Sequence, residues 1–200
     1  MLYYIVIYYT MYLRTTKQTK ENEKQLRAKI LNAAYKLFIE SGYYNVTILK
    51  IAEEAKVSKN TIYNYFQGKP SILKSLVEKH FKTGLAKNNK KLSGMQYLKF
   101  LIDQTFDELE NHCGFLRVIY PMVFFTTSFS YLKEFLFDFT TSHINRLEEV
   151  FEELGYDHPY DEARGLITEI DGINLHYMTV DEMYPVEEVK EMLYARYEIK

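Results

Sequence analysis

Residues 47–69 read TILKIAEEAKVSKNTIYNYFQGK, and their spacing predicts two short helices around a tight turn. Thr47 stands ahead of Ile48, Ile51, Ala52 and Ala55 at helical intervals, and Ser58 stands ahead of a second run. Both are N-cap residues, so each helix opens on amides able to hold a phosphate. At 100° per residue Ile62 and Phe66 share a face with nearby Val57, while Lys59, Asn60, Tyr63 and Asn64 gather opposite. A cation, two amides and a phenol suit a duplex: Asn pairs bidentately with adenine, and Lys, the Tyr hydroxyl and backbone amides serve phosphates. On pattern alone the same segment also fits an ordinary amphipathic hairpin with a solvated polar face.

The segment resembles the DNA-binding domain of TetR-family transcriptional regulators, through Thr47, Ile51-Ala52, Ala55-Lys56-Val57-Ser58, Ile62-Tyr63-Asn64-Tyr65-Phe66 and Lys69, within a stretch from Leu26 to Leu76. The resemblance implies an all-α chain: an N-terminal three-helix, helix-turn-helix DNA-binding domain followed by a C-terminal helical ligand-binding and dimerisation domain. It also implies DNA contacts from Thr47, Ser58, Lys59, Asn60, Thr61, Tyr63, Asn64, Tyr65 and Lys69. Two positions depart from the family pattern. Lys56 occupies the turn where glycine is usual and a positive φ is wanted, at a strain of ~1 kcal/mol offset by a cation near phosphate. Leu49 stands where a polar base contact is common, and offers only apolar contact, as to a thymine methyl. Base reading then rests on Lys59, Asn60, Thr61 and Asn64.

Charge supports the same division independently of any motif. The chain's formal net charge of −2 conceals a net of +11 over residues 1–92 and −13 over residues 93–200. A basic half that faces nucleic acid, joined to an acidic half that does not, is the simplest source of such asymmetry, although basic runs are also commonly solvated faces. Two hundred residues, 47% of them hydrophobic, suffice for a core in one or two domains. The single cysteine, Cys113, excludes an intramolecular disulfide framework and fits a reducing, cytoplasmic setting. With His112 beside it and no second spaced pair, it reads as a small core residue rather than a zinc ligand. The five histidines show no metal spacing, and neither a Gly-rich phosphate loop nor a Gly-x-Ser-x-Gly elbow occurs. No enzyme activity, cofactor or metal is therefore expected.

Residues 1–16, MLYYIVIYYTMYLRTT, lack the basic start and small-residue cleavage site of a signal peptide, and are too short to span a bilayer. They fit an upstream start-site extension with Met11 as the natural start, an extra packing element, or a β-prone arm. Arg14, Lys17, Lys20, Lys24 and Arg27 then form a basic lead-in, suited to a phosphate backbone or minor groove or else merely disordered. The predicted domains are an extension or arm at 1–20, the helix-turn-helix domain at 21–69, a connecting helix at 70–92 and the ligand-binding and dimerisation domain at 93–200. The first regular helix is expected over Lys24–Ser41, with Leu26, Ile30, Ala33, Leu37 and Phe38 inward and Gly42 as its stop. In the connecting helix, Pro70 sits at the start and Ile72, Leu73, Leu76, Val77 and His80 make the buried stripe; the resemblance implies that it acts as a lever between effector and DNA.

Beyond KNNKKLSG at 87–94, helices are expected over Met95–His112, Phe115–Phe125, Tyr131–Leu154, Tyr160–Met183 and Val186–Tyr197. This half holds 10 Phe and 9 Tyr, most of them core material. Pro121 is expected to kink or end its helix and leave a gap among rings. Phe100, Tyr120, Phe124, Phe135, Phe139, His143 and Asn174 are the candidate lining of a pocket for a small, largely apolar or aromatic effector. Gly165, Ile170, Gly172, Ile173 and Tyr177 on one helix and Val189 and Leu193 on the next are the candidate dimer interface, the small residues letting helices approach closely. Packing within one chain is the alternative source of those stripes. Together these expectations describe a homodimeric, ligand-responsive repressor on a palindromic double-stranded DNA operator, with no membrane partner. The competing readings are a DNA-binding factor without an effector and, more remotely, a helical enzyme.

Overall fold

Among the described residues of the computed structural model the chain forms eight α-helices and no strand. The structure describes residues 2–85, 92, 94–125, 129–180 and 183–200, with the side chains of residues 2–19, 82–85, 112, 124 and 125 left aside. The helices are α1 (Leu2–Ser41), α2 (Ile48–Glu54), α3 (Lys59–Tyr65), α4 (Lys69–Leu85), α5 (Gly94–Phe125), α6 (Ser130–Glu153), α7 (Pro159–Val180) and α8 (Val186–Arg196). The chain divides into two compact units, residues 1–76 and 77–200, so the division falls inside α4. No described helix is long and apolar enough to cross a membrane.

The first unit is built on one apolar face of α1. Ile30, Leu31, Ala33, Ala34 and Phe38 are buried, and so are Ile51, Ala52 and Ala55 of α2, Ile62 of α3, Phe66 just beyond it, and Ile72, Leu73 and Leu76 of α4. Gly42 ends α1 at φ +74, its N–H bonded 2.9 Å from the Phe38 carbonyl. The expected start of α1 at Lys24 is corrected: the helical backbone begins at Leu2. No Gly or Pro interrupts residues 1–41, and the segment after residue 16 is rich in Lys, Glu, Gln and Arg, all good helix formers. Over residues 2–16 the backbone is helical rather than a β-prone arm, while the packing role considered for their side chains lies outside the described residues.

The second unit packs α5 on α6, α7 and α8, with α6 and α7 as its most extensive pairing. Its core joins Tyr97, Leu98, Ile102, Phe106 and Leu109 of α5 to Leu147, Val150 and Phe151 of α6, Ala163, Leu166, Ile170 and Ile173 of α7 and Leu193 of α8. The expected break at residues 112–115 is absent, and α5 runs without interruption. Gly114 costs about 1 kcal/mol of helix propensity, but full burial of Phe115 and near burial of Leu116 and Ile119 extend the apolar stripe across it. Pro121 forfeits one rung of hydrogen bonding, yet the helix continues to Phe125. Pro159 opens α7 at a position where its missing N–H has no helical partner to lose, and Asp161 and Glu162 complement the helix dipole in that first turn. The Tyr194 hydroxyl on α8 donates to Asp103 and accepts from Lys99 Nζ at 3.0 Å, and Lys190 Nζ lies 2.9 Å from Asp103, which ties α8 to α5.

Candidate nucleic-acid interface and effector cavity

Both expected caps form. The Thr47 hydroxyl accepts from the Lys50 N–H at 3.2 Å, and Ser58 Oγ accepts from the Thr61 N–H at 2.9 Å. The turn between α2 and α3 is a Schellman motif: the Lys56 N–H reaches the Glu53 carbonyl at 3.0 Å and the Val57 N–H the Ala52 carbonyl at 2.9 Å. Its left-handed residue is Lys56, at φ 51, so the strain expected from replacing glycine is present and the ammonium stands on an exposed turn.

With Ile62 fully buried, α3 turns Lys59, Asn60, Tyr63 and Asn64 outward, Tyr63 being 49% exposed with Lys59 Nζ 5.7 Å from its ring centre. Leu49 on α2 is 57% exposed, an apolar side chain held in solvent as the sequence expects, and Tyr44 is 66% exposed. Tyr44 was not anticipated, because the turn between α1 and α2 has no period to read. The sequence-predicted contacts thus separate into two groups. Ser58, Lys59, Asn60, Tyr63 and Asn64 share an open face with Thr47 nearby, whereas Thr61, Tyr65 and Lys69 are partly withdrawn. The Thr61 hydroxyl lies 2.7 Å from Ser58 Oγ inside the cap, and the Tyr65 carbonyl accepts from Arg27.

Lys69 corrects the expectation most. Its ammonium donates to the Tyr43 and Val46 carbonyls, each at 2.7 Å, and sits 4.2 Å from the Tyr43 ring centre. Burial holds its pKa below the usual lysine value and raises that of Tyr43 to about 12. Two of its three N–H donors therefore close the turn between α1 and α2 rather than reaching outward. Arg27 is likewise engaged internally, donating to Ser75 Oγ at 2.9 Å and lying 4.5 Å above the Phe66 ring.

In the second unit a cavity of about 420 Å³ lies among the carboxyl-terminal turns of α4 and helices α5, α6 and α7. His80 and Phe81 enter from α4, Gln104, Glu108 and Tyr120 from α5, Phe139 and His143 from α6, and Asp171 and Asn174 from α7. Phe81 and Phe139 meet edge-on at 5.0 Å, Phe135 stacks behind Phe139 at 6.2 Å, and His80 lies 5.1 Å from Phe115. Of the predicted lining, Tyr120, Phe139, His143 and Asn174 are present; Phe135 backs the wall, Phe100 is not part of it, and the Phe124 side chain lies outside the described residues. Gln104, Glu108, His80 and Asp171 were missed. Glutamine and glutamate one turn apart look like a solvated helix face until other helices close over them.

The polar lining of this cavity sets buried acceptors beside the hydroxyls of Tyr120 and Thr140 and the Asn174 amide. His143 is 8% exposed, and its Nδ1 lies 2.7 Å from the Phe139 carbonyl. That bond fixes the proton on Nδ1 and leaves Nε2 as an acceptor, which has no hydrogen-bond partner. Gln104 Oε1 is also buried without a hydrogen bond, and Glu108 Oε1 is buried with His80 Nε2 3.0 Å away. Burial lowers the His143 pKa, and the carbonyl contact only partly opposes it. Tyr120 is pushed up to about 12 by burial and by Asp171 nearby, against a hydrogen bond from Asn174. Asp171 is exposed as a residue, yet the packing around its carboxyl raises its pKa.

The candidate dimer residues divide differently from the expectation. Ile170, Ile173 and Leu193 are buried in the chain's own core, and Tyr177 and Val189 are half-buried against it. The stripe at steps of three and four marks an apolar face without saying whose core it joins, and here it joins its own. Only Gly165 and Gly172 are open, and a Cβ built on either meets nothing within 4 Å. They lie on one face of α7 with Thr168, Leu175 and Thr179, Leu175 being 53% exposed, and Gly172 and Leu175 also border the cavity. On α8, Met192 and Ala195 are exposed.

Comparison with known proteins agrees with this geometry. The family described as bacterial regulatory proteins, tetR family, matches residues 30–76. Over 50 residues the chain is 56% identical to the HTH-type transcriptional regulator HbdR of Aromatoleum sp. (strain CIB), a match covering 25% of this chain and 22% of that protein. The chain thus spans less than a quarter of that relative. Among solved structures, the fatty acid degradation regulator FadR from Bacillus halodurans is similar at a TM-score of 0.69 and 20% identity, over 86% of this chain and 94% of that one. FadR from Bacillus subtilis in complex with stearoyl-CoA is similar at a TM-score of 0.68 and 20% identity, over 85% and 96%. These likenesses establish a shared fold. Residues 30–76 thus carry the likeness to the helix-turn-helix domain of the tetR family of bacterial regulatory proteins.

Proposed function

We propose that this chain is a transcriptional regulator that binds a palindromic operator as a homodimer, represses from it, and is released by a small, largely apolar or aromatic effector. The observation that carries the DNA-binding part is the open face of α3, where Lys59, Asn60, Tyr63 and Asn64 stand clear of a core that fixes Ile62. Lys50, Lys56 and Lys59 supply exposed cations around that face. The effector part rests on the 420 Å³ cavity with its unpartnered polar atoms, and a ligand-bound relative of the same fold supports it. Two heads related by a twofold axis read half-sites about one helical turn apart, roughly 34 Å. Helix α4 contributes Lys69 to the first unit and His80 and Phe81 to the cavity. A ligand that displaces those two side chains acts on the same helix whose start closes the α1–α2 turn. A coupling of ~1 to 3 kcal/mol is enough to change operator affinity about 5- to 150-fold. On this reading the chain works in the cytoplasm and has no catalytic role.

The test has two stages. The full chain is used to select bound duplexes from a random pool, and an enriched inverted repeat is the expected result; enrichment of nothing defeats the DNA-binding reading. Compounds that raise the melting temperature are then added to the operator complex. Release at the concentrations that stabilise the protein supports an effector-controlled regulator. Stabilisation without release defeats effector control and leaves a DNA-binding factor without an effector.

A further inference from the structure

The effector cavity has a charge preference written into its walls. Its described lining contains two carboxylates, Glu108 and Asp171, and no lysine or arginine. In that lining Gln104 Oε1 and His143 Nε2 are buried without a hydrogen bond, and Glu108 Oε1 faces His80 Nε2 at 3.0 Å. Of these three acceptors, Gln104 can become a donor by an amide flip, but Glu108 and His143 cannot without a change of protonation or tautomer. His143 is held in its acceptor form by the Phe139 carbonyl at 2.7 Å. Gln104 and Glu108 sit one turn apart on α5 and so present their acceptors to the same side. Around these acceptors lie ring faces: Phe81 and Phe139 at 5.0 Å, and His143 only 4.1 Å from Phe139. Aromatic faces and carboxylates both attract a positive charge, and unpartnered acceptors in an apolar wall repel an anion.

We propose that the cavity binds a cationic amphiphile, an apolar or aromatic body carrying a protonated amine, with the ammonium seated between Glu108 and the ring faces. This rests on the reading of the cavity as the effector site. The ammonium supplies the N–H donors that Gln104 Oε1 and His143 Nε2 lack and shares Glu108 with His80, and Phe81, Phe139 and the aliphatic wall enclose the apolar body. A carboxylate or phosphate on the same body meets like charge at Glu108 and Asp171. The cavity therefore selects against acyl anions, although a relative of the same fold is known in complex with stearoyl-CoA.

Three naphthalene probes of one shape separate the possibilities: 2-(2-naphthyl)ethylamine, 2-(2-naphthyl)ethanol and 2-naphthylacetate. They are titrated calorimetrically at neutral pH into the full-length chain. The amine is expected to bind about tenfold or more tighter than the acetate, with the alcohol between, because a hydrogen bond to a charged group is worth at least one such factor. Glu108→Gln should reduce the amine-to-alcohol preference by about tenfold while shifting alcohol affinity by no more than about twofold. Asp171→Asn, at an exposed position, serves as a second variant should Glu108→Gln fold poorly, and a smaller loss of the same sign is expected. Acetate binding as tightly as the amine overturns the charge preference while leaving the cavity as an effector site. An amine preference untouched by both variants overturns the assignment to these carboxylates. Failure of all three probes to bind overturns the cavity reading along with this one.

Discussion

At the residue scale, lysine has two different uses in the helix-turn-helix domain, and the structure distinguishes them. Lys59 projects from α3 into solvent, whereas the Lys69 ammonium is tied to two carbonyls and a ring. Lys59→Ala should leave the melting temperature nearly unchanged and weaken DNA binding similarly across sequences. The log-log salt slope should shrink by about 0.9 if the side chain neutralises one phosphate, as gel shifts over a salt series will show. Lys69→Ala should instead lower stability by about 1 to 3 kcal/mol, because it strands the Tyr43 and Val46 carbonyls in a partly buried turn. Urea unfolding measures that loss, and an unchanged midpoint would remove the structural role. Asn60→Ala and Asn64→Ala carry the reading of bases: each should narrow the affinity gap between operator and scrambled duplex by about 1 to 3 kcal/mol if its amide pairs with adenine. The exposed face of α3 was legible in the sequence because caps and a 3.6-residue period are local signals. The inward course of Lys69 was not, because its acceptors are backbone carbonyls 23 and 26 residues away that no side-chain pattern announces.

At the element scale, the turn between α2 and α3 shows a local rule broken and held in place by its surroundings. Val57 and Lys56 complete the Schellman hydrogen bonds, and Lys56 is left in the left-handed region that glycine would occupy without a Cβ penalty. Lys56→Gly relieves roughly 1 to 2 kcal/mol of strain but adds about 0.4 to 1 kcal/mol of freedom to the unfolded chain. A net gain of about 0.5 kcal/mol is expected from thermal unfolding, together with weaker DNA binding if the ammonium faces a phosphate. Loss of stability would show that Lys56 makes compensating contacts. The longer helices teach the opposite lesson about sequence reading. Apolar stripes on α6 and α7 are visible from their steps of three and four, but the sequence predicts a division of α5 at residues 112–115 that the burial of Phe115 overrides. The cavity was only half legible for a related reason: its aromatic wall is conspicuous in composition, while His80, Gln104, Glu108 and Asp171 acquire meaning only when three helices bring them together.

At the scale of the whole molecule, two consequences reach beyond any one element. The first is a pH dependence of stability. His143 has its pKa lowered from 6.5 by burial, so on acidification the unfolded chain takes up the proton before the folded chain does. Its contribution is complete above about pH 6.5 and is lost as the pH falls from there toward the folded value. Melting temperatures recorded from neutral to mildly acid pH should therefore decline, and His143→Gln should flatten the decline over that window. The second consequence concerns assembly. Ile170, Ile173 and Leu193 are already used inside the second unit, so substituting them tests stability and says nothing about association. The outer face of α7 and α8 keeps Gly165, Gly172, Leu175 and Met192 exposed, with room above both glycines. An open line of small residues beside two large apolar ones suits close approach by the same face of a second copy, since a twofold contact must be self-complementary. Leu175→Glu with Met192→Glu places four carboxylates in such a contact and should give a monomer by sedimentation at micromolar concentration, while Ile170→Ala leaves the association state alone and costs about 2 to 5 kcal/mol of stability. The monomeric variant should still bind a single half-site but lose the steep preference for a full inverted repeat, because two linked heads gain affinity from one another and a lone head does not. A double variant that sediments as a dimer would place the interface on another face, and a parent that sediments as a monomer would remove the dimer.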